Sequence, residues 1–150
     1  VIQFDLDLGD TPSVLAALQN PAIAGQVAKA AAERYTDETL DYIAQRRSFT
    51  GRTGQLEQSI GWRPLGNEAA EVYVNAEYAP YVEYGTRPHV IRPKPGRKAL
   101  KIPVPGGYVL RRKVNHPGSR PYPFFFADRS HREQAMAAAG LSVLARVIHG

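Results

Sequence analysis

"PAIAGQVAKAAAERYTDETLDYIAQRR", residues 21–47, decides the fold class. Ile23, Val27, Ala30, Ala31, Tyr35, Tyr42 and Ile43 return at spacings of three and four, the period of a helix with one buried stripe. The run predicts a long, alanine-rich helix from Pro21 to about Arg47. Upstream, "GDTPSVLAALQN" reads as a turn and a short helix, capped by Asp10 or Thr11 with Pro12 in its first turn. Ahead of it, "VIQFDLDL" alternates apolar and polar residues at Ile2, Phe4, Leu6 and Leu8, the period of a half-buried strand. Downstream, "SFTGRTGQL" closes the long helix with glycines.

The second half changes period. "LEQSIGWRPL" and "EAAEVYVNA" predict an antiparallel pair around "GNE", with Ile60 and Trp62 on one strand and Val72 and Val74 on the other. "LKIPV" and "YVLRRKV" flank "PGG" as a second hairpin, and Pro103 places its strand at an edge. "YAPYVEYG" reads as the last strand and turn of the body, with Gly85 as a hinge. The closing stretch "PFFFADRSHREQAMAAAGLSVLARVIHG" predicts a helix opened near Asp128, burying Ala135, Met136, Leu141, Leu144 and Val147 or Ile148. The expected architecture is α+β in a single domain over 1–150. Its long helix packs on a twisted antiparallel sheet, with an extended basic hairpin or arm at about 86–120 and a C-terminal helix.

With 150 residues the chain can bury a core without staples. It has no cysteine, which removes disulfides, thiol nucleophiles and Cys-based zinc sites and fits a reducing compartment. The opening "VIQFDLDLGD" carries acids where a secretory leader carries cations, and no apolar run approaches a membrane span. Charge is distributed unevenly. Of nineteen Lys and Arg, ten lie between Thr86 and Arg120, where none of the fourteen acids falls. These are Arg87, Arg92, Lys94, Arg97, Lys98, Lys101, Arg111, Arg112, Lys113 and Arg120. A net charge of +5 is therefore a mildly acidic body joined to one basic segment, which suits a polyanion or an acidic partner.

No catalytic constellation emerges. His89, His116, His131 and His149 show neither an HxxxH pair nor ligand spacing with acids, so no metal or cofactor is expected. His89 and His116 each neighbour a proline, where hydrogen bonding within a turn is the expected role. Glu77 and Glu83, if on one strand face, stand roughly 20 Å apart, beyond the reach of paired carboxylates. "GRTGQLEQS" lacks the Lys-Ser/Thr of a P-loop, and no serine sits in a nucleophile elbow. The chain reads as a non-enzyme.

The basic stretch "RPHVIRPKPGRKALK" is too rich in proline and glycine for a helix and predicts an arm. "LRRK" holds three consecutive cations, which on a strand cannot share one face. A solvated hairpin whose charges protect its edge is one reading; counterion release on a nucleic acid is another. Only Tyr108 interleaves the cations, so no base-stacking platform is present. Tyr78, Tyr81 and Tyr84 recur at three-residue spacing and can pack beside a sheet. Phe124, Phe125 and Phe126, placed on the last helix, point three ways, so one enters the core and others suit a contact between subunits.

Two motifs carry a resemblance. "YAPYVEYGTRP", followed by "VNHPGSRPYPFF", resembles the lambdoid-type tail-component family of tailed bacteriophages, neck or tail-completion proteins distantly related to lambda's minor tail protein Z. "TGRTGQLEQSI" and "VIQFDLDLGDTPSVLAAL" are similar to other segments of that family. Tyr84, Gly85, His116, Pro117 and Gly118 match its motif positions as elements of fold and interface. Thr86 and the aromatics Tyr78, Tyr81, Phe124 and Phe125 flank those positions. The resemblance implies a structural virion protein, assembled in the bacterial host cytoplasm. It further implies a homo-oligomeric ring at the head–tail junction, neighbouring neck, portal-side or tail-tube proteins and possible non-specific contact with packaged DNA. It implies no catalytic residue, cofactor or membrane. A non-specific nucleic-acid-binding module using residues 86–120 is the alternative.

Overall fold

The computed structural model describes residues 11–46 and 54–149. The strand expected at Ile2–Leu8, the cap at Asp10 or Thr11 and most of "SFTGRTGQL" lie outside the described residues or side chains. The chain divides into two compact units: residues 1–79 with 124–150, and residues 80–123.

In the first unit, α1 (Thr11–Leu18) packs on α2 (Pro21–Arg46) and α5 (Arg129–His149), and α2 and α5 make the main helix pair. A one-turn α3 (Gln55–Gln58) follows Gly54 and takes residues expected to extend the first strand. The first hairpin is as expected: β1 (Ile60–Leu65) pairs antiparallel with β2 (Ala69–Val74), setting Ile60 opposite Val74 and Trp62 opposite Val72. Both strands lie against α2.

The long helix buries Tyr35 and Ile43 of the expected apolar stripe together with residues outside that stripe. Ala32, Tyr35, Thr36, Thr39 and Ile43 are its buried residues, whereas Ala30, Ala31 and Tyr42 are only partly covered. Two threonines can enter because each hydroxyl donates to the carbonyl one turn back: Thr36 to Ala32 at 2.9 Å and Thr39 to Tyr35 at 2.8 Å. A satisfied hydroxyl costs little to bury. On α5, Met136 and Leu144 are buried as expected, but Arg132, Gly140 and Val143 join them and Val147 is exposed.

Arg132 is 1 % exposed. Its Nη1 donates to Thr39 Oγ1 at 3.0 Å and to the Phe125 carbonyl at 2.6 Å. That carbonyl also accepts from Tyr35 Oη at 2.6 Å, so both its lone pairs are used. The guanidinium lies over the rings of Tyr42, at 5.0 Å, and Tyr35, at 5.5 Å. Among the described residues no carboxylate pairs with it and Nη2 has no hydrogen-bond partner. Two aromatic faces thus supply the attraction that a counter-ion would.

The last helix starts later than its sequence suggests. Phe124 to Phe126 precede α5, held by the bonds to the Phe125 carbonyl; Asp128, at φ 52°, opens the helix by accepting from Arg132 N. Phe124 is the ring in the core (1 % exposed), and Phe126 is exposed.

Arg132→Ala should lower unfolding free energy by about 2–5 kcal/mol. Arg132→Met, which keeps most of the volume and removes the unpaired donor, should cost less than about 1.5 kcal/mol. Urea denaturation followed by circular dichroism separates the two. Equal losses would show that polar bonds rather than packing hold this centre.

Candidate functional site: a basic strand unit

Residues 80–123 form the second unit. The stretch read as strand and turn is instead a short helix, α4 (Ala79–Tyr84). Its three-residue tyrosine spacing suits a helix as well as a sheet flank, and in α4 it leaves Tyr81 and Tyr84 62 % and 68 % exposed. Glu83 lies in α4 as well, and is buried. Tyr78, before α4 in the first unit, is exposed.

Gly85 works as a point of close approach, where the sequence suggested a hinge. Its φ is +70°, and a Cβ there would meet Ser119 O at 2.5 Å and Pro121 N at 2.8 Å. Gly118, at φ +88°, mirrors it: a Cβ there would overlap Thr86 O. Only residues without a side chain let these two backbone segments touch. Between them, Thr86 and Ser119 exchange two backbone hydrogen bonds of 3.1 Å, and their hydroxyls lie 3.1 Å apart.

The same register runs on into a sheet not foreseen from sequence. β3 (His89–Ile91) pairs antiparallel with β6 (Val114–His116), placing His89 opposite His116 and Ile91 opposite Val114. The two imidazoles stack with centroids 5.0 Å apart and planes at 28°. Each also makes the turn bond expected of a loop histidine. His89 Nδ1 donates to the Arg87 carbonyl at 2.9 Å, and His116 Nδ1 accepts from Gly118 N–H at 3.1 Å. Among the described residues no three His, Cys, Asp or Glu side chains form a metal-binding group.

The second hairpin is as expected, with β4 (Leu100–Val104) paired to β5 (Gly107–Arg111). Register puts Leu100, Ile102, Val109 and Arg111 on one face and Lys101, Pro103, Tyr108 and Leu110 on the other. Tyr108 and Leu110 are both more than half exposed, and Lys101 Nζ caps the Tyr108 ring at 4.0 Å. The described strands form three two-stranded sheets instead of the one twisted sheet expected. Prolines at 88, 93, 95, 105 and 117 interrupt donors between the pieces.

The cations spread along this unit. Arg87 lies on the ladder beside His89, whereas Arg92, Lys94, Arg97 and Lys98 follow β3, all four exposed and outside any strand. Arg111 ends β5; Arg112 and Lys113 lie in the connector to β6, so "LRRK" is only half strand. Among the described residues none of the ten cations between Thr86 and Arg120 makes a salt bridge. Pro117 is exposed between the paired histidine and glycine. Of the aromatics named from sequence, Phe124 and Phe125 belong to the first unit, where Phe124 is core.

Comparison with known proteins touches mainly the first unit. Residues 13–85 match the family described as "Bacteriophage HK97-gp10, putative tail-component". The match runs from α1 through α4 and ends at Gly85, just under half the chain. Over those residues the chain is similar to a "putative tail-component" of a tailed bacteriophage. No curated protein and no solved structure matches.

Gly118→Ala should destabilise the ladder by about 1–3 kcal/mol, since it adds a clash to a strained φ. Gly96→Ala has a similar φ but open space around the Cβ, so its cost should be smaller. Hydrogen exchange at Thr86 and Ser119 checks both; equal exchange in the two variants would contradict the close-approach account.

Proposed function

We propose that this chain, a structural component of the phage tail region, is a ring-forming subunit at the head–tail junction that completes the tail or joins it to the capsid. The carrying observation is the family match over residues 13–85. The role is architectural and non-catalytic, and its place is the virion.

Physical features support a subunit whose surface is completed by neighbours. The β3–β6 and β4–β5 sheets of the second unit have two strands each, and such pairs are marginal without a further strand or helix. Tyr81, Tyr84, Tyr108 and Leu110 are each more than half exposed, more aromatic surface than a short basic segment needs for solubility. The segment's cations have no acidic partner among the described residues, while α2 exposes Asp37 and Asp41. In a ring, one subunit's patch meets a different patch on the next, so a basic hairpin and an acidic helix are suitable halves of one contact. Opposite charge then sets orientation during docking. Neighbouring neck, portal-side or tail-tube proteins would take the remaining faces.

Contact with packaged DNA is a second reading, favoured by the same unpaired cations. A ring repeats them around the channel, and each acts within a Debye length of about 8 Å. Such contact is non-specific, because one tyrosine among ten cations provides no base readout.

Deleting the gene from its phage or prophage should leave separate heads and tails by negative-stain imaging, with joining restored by the wild-type copy. Normally joined particles would exclude the role. Light scattering of the purified chain should give a multimer, and Arg111→Glu with Arg112→Glu and Lys113→Glu should shift it toward monomer if the basic hairpin docks on acids. If that triple variant instead keeps the multimer and loses salt-dependent binding to duplex DNA, the cations face DNA.

A further inference from the structure

We propose that the face bearing Arg87, His89 and His116 is a binding site for a phosphate group. The proposal stands apart from ring assembly, since every residue it uses lies in one unit.

The ladder explains why these groups converge. Thr86 opposes Ser119 and His89 opposes His116, so the pairing keeps one register through the prolines. Side chains two apart on a strand share a face. Arg87, His89 and Ile91 therefore project together, with His116 beside them and Gly118 opposite Arg87 adding no side chain. The result is a depression of about 690 Å³ lined by Tyr81, Arg87, His89, Ile91, His116 and Ser119 among others. No carboxylate lines it. The titratable and charged groups facing it are Arg87, Tyr81 and the two imidazoles; Glu83, on the helix that supplies Tyr81, is buried and not part of the lining.

The hydrogen bonds of the rings assign their chemistry. A carbonyl can only accept, so His89 Nδ1 carries a proton and His89 Nε2 is the nitrogen left for a ligand. An amide N–H can only donate, so His116 Nδ1 is a lone pair and Nε2 carries the proton. His116 thus offers a fixed N–H donor while remaining neutral. His89 can take a second proton on Nε2 without losing its bond to Arg87 O, and stacking against a neutral imidazole tolerates that charge. Protonating His116 would break its bond to Gly118.

A divalent metal fits this pair poorly, because ligation through His116 Nε2 would require moving its proton onto the nitrogen facing Gly118 N–H. An anion fits well. Arg87, His116 Nε2–H and protonated His89 present donors only, suited to the oxygens of a phosphate. Tyr81 and Ile91 add an apolar flank that strengthens such bonds. Imidazole as a class changes charge between about pH 5 and 8, so an anion held by this face should bind more tightly as pH falls.

The test uses the full chain and follows the ring-proton NMR signals of His89 and His116, identified with His89→Gln and His116→Gln. Sulfate serves as the first probe because its charge does not change between these pH values; inorganic phosphate and a short duplex DNA follow. Sulfate should shift both histidines, several-fold more tightly at pH 6 than at pH 8. Arg87→Ala should weaken binding about tenfold, while Lys98→Ala, a cation outside the depression, should leave it near wild type. His89→Gln should remove the pH dependence, with the Gly118 amide signal reporting that the ladder is intact. Displacement of sulfate by duplex DNA identifies a nucleic-acid backbone as the source of the phosphate; displacement by inorganic phosphate alone identifies a free anion. If none of the three probes moves the histidine signals, or Arg87→Ala and Lys98→Ala weaken binding equally, the site does not exist.

Discussion

One backbone carbonyl organises the larger unit. Phe125 O accepts from both Tyr35 on α2 and Arg132 on α5, and Arg132 reaches on to Thr39. These bonds fix where the chain turns into the last helix and set how that helix lies on the first long one. A buried cation is expensive to keep, and here its cost is offset by two aromatic faces and two hydrogen bonds instead of a carboxylate. The arrangement is directional where apolar packing is not. It gives an alanine-rich helix pair one preferred register, because sliding either helix by a turn would strand the guanidinium.

The smaller unit solves a different problem. It has little apolar material, and its strands are short and broken by prolines. Close backbone contact substitutes for a core: Gly85 and Gly118 let the two arms of the ladder meet around Thr86 and Ser119. That contact sets the register carried onward to His89 and His116. Chemistry in this unit is therefore a consequence of two glycines that have none of their own.

The family match ends where the basic segment begins. A body similar over residues 13–85 to a phage "putative tail-component" continues into a segment rich in exposed cations and aromatics. Tyr81 and Tyr84 are exposed just ahead of that segment, and on its hairpin Lys101 caps the exposed Tyr108 ring.

The sequence by itself determined the α+β class, the existence of both hairpins, the extent of the long helix and the concentration of charge. These follow from local periodicity, turn chemistry and composition, which act between near neighbours. It also marked Tyr84, Gly85, His116, Pro117 and Gly118 through their motif, without saying what brought them together. Periodicity misread "YAPYVEYG" as strand, because tyrosines three apart serve a helix equally well, and it counted Tyr42 as core where Thr36 and Thr39 are buried. Polar residues enter a core only once partners are in place, and Arg132 finds its partners some ninety residues away. The stacking of His89 on His116 likewise depends on a ladder closed across a proline-broken loop. Only the tertiary structure could decide these, because each depends on a contact that exists after distant segments have met.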